Sequence, residues 1–255
     1  MIQFSANLGF LWQELQLTDG IRAAADAGFS AVECHWPYDV AASTVREALQ
    51  ETELPMLGIN TVRGNVEAGD NGLSALSSRL TEAREAIDQA VEYASLIKAR
   101  NIHVMAGYAS GKNAHDTFMD NLSYAAGRAA GLGITILIEP LNHFDAPGYF
   151  LSTSVQAESI INELDLRNVK LMFDCYHVQI MEGDITRRLQ RLLPIIGHVQ
   201  IASVPSRGAP DVGELDYGYV IKTLDRLGYS EPVGAEYKPV GATRDSLQWM
   251  SALIR

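Results

Sequence analysis

The sequence is poor in cysteine and contains no long uninterrupted hydrophobic segment. Its two cysteines, Cys34 and Cys175, are too few for a disulfide framework, and each lies in an apolar segment where a buried, reduced thiol is expected. No uncharged apolar run approaches the roughly 18 to 20 residues that cross a bilayer. The first residues also lack the basic and apolar regions of a secretion signal. We therefore expect a cytoplasmic protein that neither spans nor binds a membrane.

Basic residues are also few. The chain of 255 residues has 20 Lys and Arg against 31 Asp and Glu, a formal net charge of −11. The resulting field repels a polyanion, which argues against nucleic acid as a partner, although a local basic pocket could still hold a small anion. No predicted strand is followed by G-x-G-x-x-G, and no P-loop is present, so dinucleotide binding of the Rossmann type is not indicated.

Apolar segments recur along the chain at the spacing of a repeated strand and helix unit. Eight of them predict strands, and their nearly continuous apolar character is typical of a parallel sheet covered on both faces. They span residues 2–7, 31–36, 54–60, 101–107, 134–140, 169–175, 197–203 and 232–238. Between them, periodic or Ala-rich segments predict helices over residues 19–27, 74–98, 115–130, 154–164 and 216–227.

The number of units favours a closed barrel. Eight units in this chain give about 32 residues each, which matches a (β/α)8 TIM barrel. An open doubly wound sheet is the main rival, because local patterns do not show whether a sheet closes. The chain has no Pro- or Ser-rich linker and no low-complexity segment. The sequence therefore predicts one α/β domain over residues 1–255, with the TIM barrel as the favoured architecture.

Polar side chains lie at or near the carboxyl ends of four predicted strands in the second half of the chain. They are Glu139, Asp174, Gln200 and Glu236. In a barrel the carboxyl ends of all strands meet on one face, where active sites are built. Three buried carboxylates brought together there repel one another unless a cation compensates them. Three carboxylates and one amide form an all-oxygen set that suits a hard divalent ion, Mg²⁺ or Mn²⁺.

A simpler interpretation is that each acid caps the helix that follows it, where the helix dipole favours negative charge. The spacing of the four residues argues against four independent caps. Successive members are 35, 26 and 36 residues apart, each close to one strand and helix unit. We therefore favour equivalent positions around one site.

The histidines differ in how their positions relate to this face. His177 lies just beyond the end of a predicted strand, which predicts a contact with substrate. His198 lies two residues before Gln200 and one layer deeper on the same strand, which predicts a hydrogen-bonded core histidine. His35 and His103 lie within predicted strands and receive the same interpretation as His198.

Few basic residues lie near the proposed face. Arg207 is in the loop after the seventh predicted strand, Lys238 follows Glu236, and Arg63 is in the loop after the third strand. A planar guanidinium suits a two-point grip on a carboxylate. Arg207 and Lys238 are therefore predicted to bind the carboxylate of a substrate, whereas Arg63 is expected to be an ordinary surface charge.

Two long motifs and several short ones are spread over the whole chain. The long ones are I-E-P-L-N-H-F-D-A-P-G at 138–148 and D-C-Y-H-V-Q-I-M-E-G at 174–183. The short ones are F-S-A-N-L at 4–8, W-P-Y-D at 36–39, G-L-S-A-L at 72–76, G-H-V-Q-I-A at 197–202, G-E-L-D-Y at 213–217 and E-Y-K-P at 236–239. Together these motifs resemble the hydroxypyruvate isomerase family, within the xylose isomerase-like TIM barrel superfamily.

The resemblance implies a metal-dependent isomerase. It implies a TIM barrel that holds one divalent ion through Glu139, Asp174, Gln200 and Glu236, with the two glutamates also serving as acid and base. The implied reaction interconverts hydroxypyruvate and 2-hydroxy-3-oxopropanoate (tartronate semialdehyde) by proton transfer through an enediolate. The expected partner is a small keto-acid or sugar-acid substrate, and the sequence is compatible with a homo-oligomer.

The loop after the seventh predicted strand departs from the family pattern. Ser203 stands where the family tends to place an acidic residue, and Ala209 replaces the glutamate of its usual R-x-E-P. A related keto-acid or sugar isomerase, such as a 2-oxo-tetronate isomerase, or a ketose 3-epimerase is therefore an alternative. Those epimerases typically place histidine where Gln200 stands. A non-catalytic small-molecule binder is a further alternative. A phosphodiester-cleaving nuclease of the superfamily would need a histidine-rich zinc cluster and a basic groove, and neither is evident.

Overall fold

All eight predicted strands form, and they lie parallel to one another in one sheet. The structure is a computed structural model that describes residues 2–253. The order of neighbouring strands is β2-β1-β8-β7-β6-β5-β4-β3. The strands are β1 (Phe4–Asn7), β2 (Ala31–Glu33), β3 (Gly58–Asn60), β4 (Asn101–His103), β5 (Thr135–Ile138), β6 (Val169–Asp174), β7 (Ile196–Ile201) and β8 (Val233–Ala235).

The sheet closes on itself between β2 and β3. Val32 pairs with Met56 in a parallel bridge, and the N–H of Leu57 donates to the carbonyl oxygen of Val32 at 2.7 Å. Further along, the N–H of Cys34 donates to the carbonyl oxygen of Gly58 at 3.1 Å. The predicted single-domain (β/α)8 TIM barrel is confirmed, and the open doubly wound sheet is excluded.

Each strand is followed by at least one helix that packs on the outside of the barrel. The helices are α1 (Leu17–Asp26), α2 (Ala42–Thr52), α3 (Leu80–Ile97), α4 (Gly111–Ala129), α5 (Ser154–Leu164), α6 (Cys175–Met181), α7 (Ile185–Leu192), α8 (Tyr217–Arg226) and α9 (Gln248–Leu253). The prediction over 154–164 is confirmed at both ends. Among the helices described, none is long and apolar enough to cross a membrane.

The predicted helix over 74–98 is wrong in its first six residues. Ser74 and Ala75 lie in a turn, and their N–H groups donate to the carbonyl oxygens of Met105 and Ala106. A short 3-10 turn follows, and α3 begins at Leu80. Long-range backbone pairing thus overrides a local helical pattern in this segment.

Several strands end earlier than predicted. β2 ends at Glu33 rather than at residue 36, and β4 ends at His103 rather than at 107. Residues 104–106 remain buried although they have left the strand, so the apolar pattern continues past the last paired residue. As a result, His35 lies in the loop beyond β2, on the face formed by the carboxyl ends of the strands.

The interior below this face is filled by side chains. The cavity there, lined by residues that include Ile59, His103, Met172 and His198, has a volume of about 10 Å³. That volume is close to the minimum for one water molecule. This interior cavity is therefore too small to hold a substrate. Cys34 and Cys175 are buried free thiols, as predicted.

Candidate active site

Glu139, Asp174 and His177 converge at the mouth of the barrel. One ligand atom of each lies within 4.8 Å of the other two, and all three residues are buried. Glu139 directly follows β5, Asp174 ends β6, and His177 lies in the first turn of α6. The parallel strands therefore bring together side chains that are far apart in the sequence.

Gln200 and Glu236 form a second buried pair beside this group. Gln200 is the register partner of Asp174 on the neighbouring strand, and its Nε2 donates to Glu236 Oε1 at 3.2 Å. Arg207 connects the two groups, because its Nη2 lies 3.7 Å from Asp174 Oδ2 and bonds directly to Glu236 Oε2. The four predicted metal ligands thus line one site.

Arg207 is the positive charge at the centre of this site. Its guanidinium lies against two rings, with Cζ 4.7 Å from the ring centroid of Phe10 and 4.9 Å from that of Tyr176. Burial disfavours its charge, but the neighbouring carboxylates, led by Glu236 and Asp174, outweigh burial and raise the pKa of Arg207. The side chain therefore remains charged and lies where a substrate carboxylate could reach it.

Three of the predicted ligands present an oxygen atom without a hydrogen-bond partner. Within residues 2–253, Glu139 Oε1, Asp174 Oδ2 and Gln200 Oε1 are buried and unpartnered. Such atoms are rare in folded proteins, because leaving a buried polar atom unpaired costs about 1–3 kcal/mol. A hard divalent cation would satisfy all three oxygens at once. The residues present therefore fit the cation that the sequence predicts.

The electrostatic surroundings of the three carboxyl groups differ. Burial, with the charges of Glu236 and Asp174, raises the pKa of Glu139 well above its ordinary value. Burial also raises the pKa of Asp174 to about 7, although Arg207 opposes it. Burial acts on Glu236 in the same sense, but Arg207 and His35 outweigh it and lower the pKa of Glu236 to about 2. The charge of Arg207 thus opposes the effect of burial at all three carboxyl groups, but only at Glu236, where His35 also helps, does it outweigh burial.

Asp174 also caps the helix that follows it. Its Oδ1 accepts a hydrogen bond from the N–H of Tyr176 at 2.8 Å, while Oδ2 has no hydrogen-bond partner within the described chain. The helix-capping interpretation is therefore correct for one oxygen of Asp174. The other oxygen remains available to the site.

His177 is oriented as a hydrogen-bond donor rather than as a metal ligand. The N–H of Asn142 donates to His177 Nδ1 at 2.9 Å, so a neutral ring carries its proton on Nε2. Burial, assisted by Arg207, lowers the pKa of His177 well below its ordinary value and keeps the ring neutral. Nε2 lies 3.6 Å from Asp174 Oδ2 and 3.9 Å from Glu139 Oε1, too far for good hydrogen bonds. This N–H can therefore donate to a ligand atom, and the contact with substrate stays a prediction.

The interpretation as hydrogen-bonded core histidines is only partly correct for His35, which is half-buried, and for His103, which is buried but not hydrogen-bonded. His35 lies beyond the end of β2, and its Nε2 is 3.0 Å from Glu236 Oε1. His103 is the last residue of β4, with Nδ1 3.4 Å from Glu139 Oε2, and neither ring nitrogen has a hydrogen-bond partner in the described chain. The apolar pattern hid both because it continues past the true strand ends. For His198 the interpretation is confirmed: it is buried and bonded to another side chain.

The other basic candidates lie outside the carboxylate cluster. The side chain of Lys238 is exposed, and its backbone N–H donates to the carbonyl oxygen of Arg207. Arg63 is half-buried over Trp36, with Cζ 4.0 Å from the ring centroid, rather than being a plain surface charge. Binding of a substrate carboxylate by Lys238 stays a prediction.

Asn7 and Glu33 belong to the site although no sequence argument singled them out. Asn7 Nδ2 donates to Glu236 Oε1 at 2.8 Å, and Glu33 bonds to Gln200 and His198. They end β1 and β2 respectively. Each is a polar residue at the end of an apolar strand, which is the pattern that identified the site residues in the second half of the chain.

The fold and the buried acidic site define a class of proteins. The family described as Xylose isomerase-like TIM barrel matches residues 21–253. A 2-oxo-tetronate isomerase from Cupriavidus necator is 43% identical over 258 residues, which cover 100% of this chain and 99% of that protein. The hydroxypyruvate isomerase of Escherichia coli K12 is 36% identical over 254 residues, 98% of each chain. The chain therefore belongs to the hydroxypyruvate isomerase and 2-oxo-tetronate isomerase family of xylose isomerase-like barrels, and it is an isomerase.

A solved structure of similar sequence has nearly the same fold. It is named as an AP endonuclease, family 2, from Brucella melitensis. It superposes with a TM-score of 0.96 at 39% identity and covers 99% of both chains.

Proposed function

We propose that this protein moves the carbonyl group of a short 2-oxo acid between neighbouring carbons, with Mg²⁺ or Mn²⁺ as cofactor. The observation that carries the proposal is the set of unpartnered buried oxygens on Glu139, Asp174 and Gln200 beside Glu236. These four residues would hold the cation. When bound, a divalent ion supplies Lewis acidity and stabilises the negative charge that develops on substrate oxygens.

The side chains of the site would carry out the proton transfer. The reaction removes a proton from C3, which bears a hydroxyl group, and returns one to C2, while O3 loses its proton and O2 gains one. Glu139 and Glu236 are the two carboxyl groups that would accept and return the carbon-bound proton. General acid–base catalysis of this kind typically contributes ~10²–10⁴-fold.

Other residues would bind and orient the substrate. The Nε2–H of His177 would donate to a substrate oxygen, since that nitrogen is buried without a partner among the described residues. Arg207, with Lys238 at the exposed rim, would bind the carboxylate. The stacking of Arg207 on Phe10 and Tyr176 fixes its guanidinium plane for a two-point contact.

Among short 2-oxo acids, we propose the four-carbon 2-oxo-tetronate ahead of hydroxypyruvate. The relative that bears the first name is 43% identical to this chain, and the Escherichia coli relative that bears the second is 36% identical. The sequence motifs alone favour hydroxypyruvate as the substrate, with 2-oxo-tetronate as an alternative, so the present proposal reverses that preference. Both acids share the three carbons on which the proposed chemistry occurs. They differ in the CH₂OH group that the tetronate carries on C3.

Cleavage of DNA is a second candidate, because the similar Brucella melitensis protein bears the name of an endonuclease. The net charge of −11 opposes binding of a polyanion. The cluster of His, Asp and Glu side chains found within residues 2–253 contains one histidine and two carboxylates, whereas a zinc cluster needs several histidines. These properties favour the isomerase.

Proton NMR in D₂O tests the proposal directly. Hydroxypyruvate, 2-oxo-tetronate and a panel of ketoses would each be incubated with the protein and Mg²⁺, and with EDTA in place of Mg²⁺. We expect a 2-oxo acid to incorporate solvent deuterium and to yield its isomer only with Mg²⁺, while the ketoses remain unchanged. If no 2-oxo acid exchanges hydrogen although one raises the melting temperature, the protein is a binder rather than an isomerase.

A further inference from the structure

Glu33 is a buried carboxylate that lies below the proposed cation site and is not one of its ligands. The residue is 4% exposed. Its Oε1 accepts a hydrogen bond from Ser5 Oγ at 3.0 Å, and its Oε2 lies 3.0 Å from His198 Nε2 and 2.9 Å from Gln200 Nε2. The side chain thus reaches from β2 across the barrel interior to two residues of β7.

A glycine on β8 leaves room for the Glu33 side chain to extend to β7. In sheet order β8 lies between β1 and β7, and the residue of β8 beneath the site is Gly234. A Cβ atom at position 234 would lie 2.2 Å from Glu33 Oε1 and 2.9 Å from both Gln200 Cγ and His198 Nε2. Any larger residue would therefore displace Glu33 from Gln200.

The chemistry of Glu33 determines which way the Gln200 amide points. A glutamine amide has one accepting end and one donating end, and only the oxygen can ligate a hard cation. A carboxylate accepts hydrogen bonds and cannot donate them, so Glu33 requires the NH₂ group of Gln200 to face it. The NH₂ group also donates to Glu236 Oε1 at 3.2 Å, which engages its second hydrogen. Oε1 of Gln200 then faces the site, where it is buried without a hydrogen-bond partner in the described chain.

We propose that Glu33 is a positioning residue that fixes the amide of Gln200 with its oxygen toward the divalent cation. The proposal rests on the proposed function, because it assumes that Gln200 is a ligand. Groups that orient metal ligands in this way typically change metal affinity or activity by about 10–100-fold when they are removed.

The first test is the affinity for Mn²⁺ alone, measured by electron paramagnetic resonance of the free ion without any substrate. Glu33→Gln keeps the size of the side chain but offers an NH₂ group to Gln200, so the amide of Gln200 can turn its oxygen away from the cation. We expect Mn²⁺ affinity to fall about 10–100-fold. Gly234→Ala should also lower it, because the added methyl would crowd both Glu33 and Gln200.

A matched control is Glu182→Gln. The Glu182 side chain is 7% exposed and pairs with Arg188 through a contact of 2.8 Å, so it is a comparable buried carboxylate with none of the site residues as a partner. We expect this variant to bind Mn²⁺ as the unmodified protein does. Circular dichroism and thermal melting would check that each variant folds.

The decisive variant exchanges the two residues. In Glu33→Gln/Gln200→Glu, residue 33 supplies the NH₂ group below the cation site, and residue 200 supplies a carboxylate to the site. A carboxylate presents oxygen to the cation in either orientation, and His198 can accept from the new amide as its other tautomer. We expect the exchange to restore Mn²⁺ affinity to within a few-fold of the unmodified protein. A purely structural role for Glu33 predicts no such rescue.

The outcomes separate this inference from the proposed function. If the unmodified protein does not bind Mn²⁺, the proposed cation site itself is wrong. If the unmodified protein binds and Glu33→Gln binds equally well, only the positioning role is wrong. Equal losses in the single and exchanged variants would also overturn that role. Should Glu33→Gln fail to fold, the exchanged variant decides, because tight Mn²⁺ binding supports the role and weak binding contradicts it.

Discussion

Asp174→Asn is the substitution whose consequences follow most directly from the burial of the acidic site. Asparagine caps a helix about as well as aspartate, so the bond to Tyr176 is retained while the charge is removed. The unfolded carboxyl group ionises near pH 3.9, whereas burial raises the pKa of the folded one to about 7. Between these values the unfolded state has released a proton that the folded state retains. Stability of the cation-free protein therefore falls as pH rises.

The size of this effect follows from the two pKa values. Between pH 5 and pH 8, Asp174 alone should remove about 2–3 kcal/mol from the free energy of unfolding. Urea unfolding in EDTA at the two pH values would measure the loss. We expect the Asp174→Asn variant to lose about that much less than the unmodified protein. Asp216→Asn is a matched control, because Asp216 also caps a helix but lies at an exposed position outside the site.

The same variant should lose its response to cation. A ligand at a hundredfold excess over its Kd stabilises a folded protein by about 2.7 kcal/mol. For a chain of this size that corresponds to a rise in melting temperature of about 5–11 °C. We expect Mn²⁺ to produce such a rise in the unmodified protein and little or none in Asp174→Asn. Equal pH dependence in EDTA, or an equal rise with Mn²⁺, would refute the reasoning.

Three further substitutions test individual roles. Glu236→Gln should fold normally and lose about 10²–10⁴-fold in kcat, because general acid–base catalysis is removed; activity like that of the unmodified protein would contradict the role. His177→Phe should lower kcat/KM by about 10²-fold, the typical cost of one oriented donor, while Mn²⁺ affinity is unchanged. A comparable loss of Mn²⁺ affinity would instead identify His177 as a ligand. Arg207→Met should raise KM for a 2-oxo acid by about tenfold or more, since hydrogen bonds to charged groups contribute about 1.5–3 kcal/mol. An unchanged KM would exclude Arg207 from carboxylate binding.

The barrel was predictable because its strands are nearly continuous apolar segments that recur with the spacing of one strand and helix unit. The same regularity identified Glu139, Asp174 and Glu236, since a carboxylate at the end of such a segment is conspicuous. The positions of His35 and His103 at the site were not predicted, because the apolar pattern continues past the last paired residues of β2 and β4. Local sequence patterns do not reveal where the hydrogen bonding between neighbouring strands ends.

Other parts of the site depend on contacts between distant elements. The place of Arg207 between Phe10 and Tyr176 requires the loops after β1 and β7 to meet helix α6. The reach of Glu33 to Gln200 requires a glycine on an intervening strand. Neither relation leaves a periodic signal in the sequence, so only the folded chain shows it.

Anomalous X-ray scattering from crystals soaked in Mn²⁺ tests the central claim most directly. We predict one strong peak at the mouth of the barrel, with oxygen atoms of Glu139, Asp174, Gln200 and Glu236 at about 2.0–2.6 Å, the range for hard divalent cations. No peak at that position, or a peak held by His177 Nε2 in place of the Gln200 oxygen, would contradict the account.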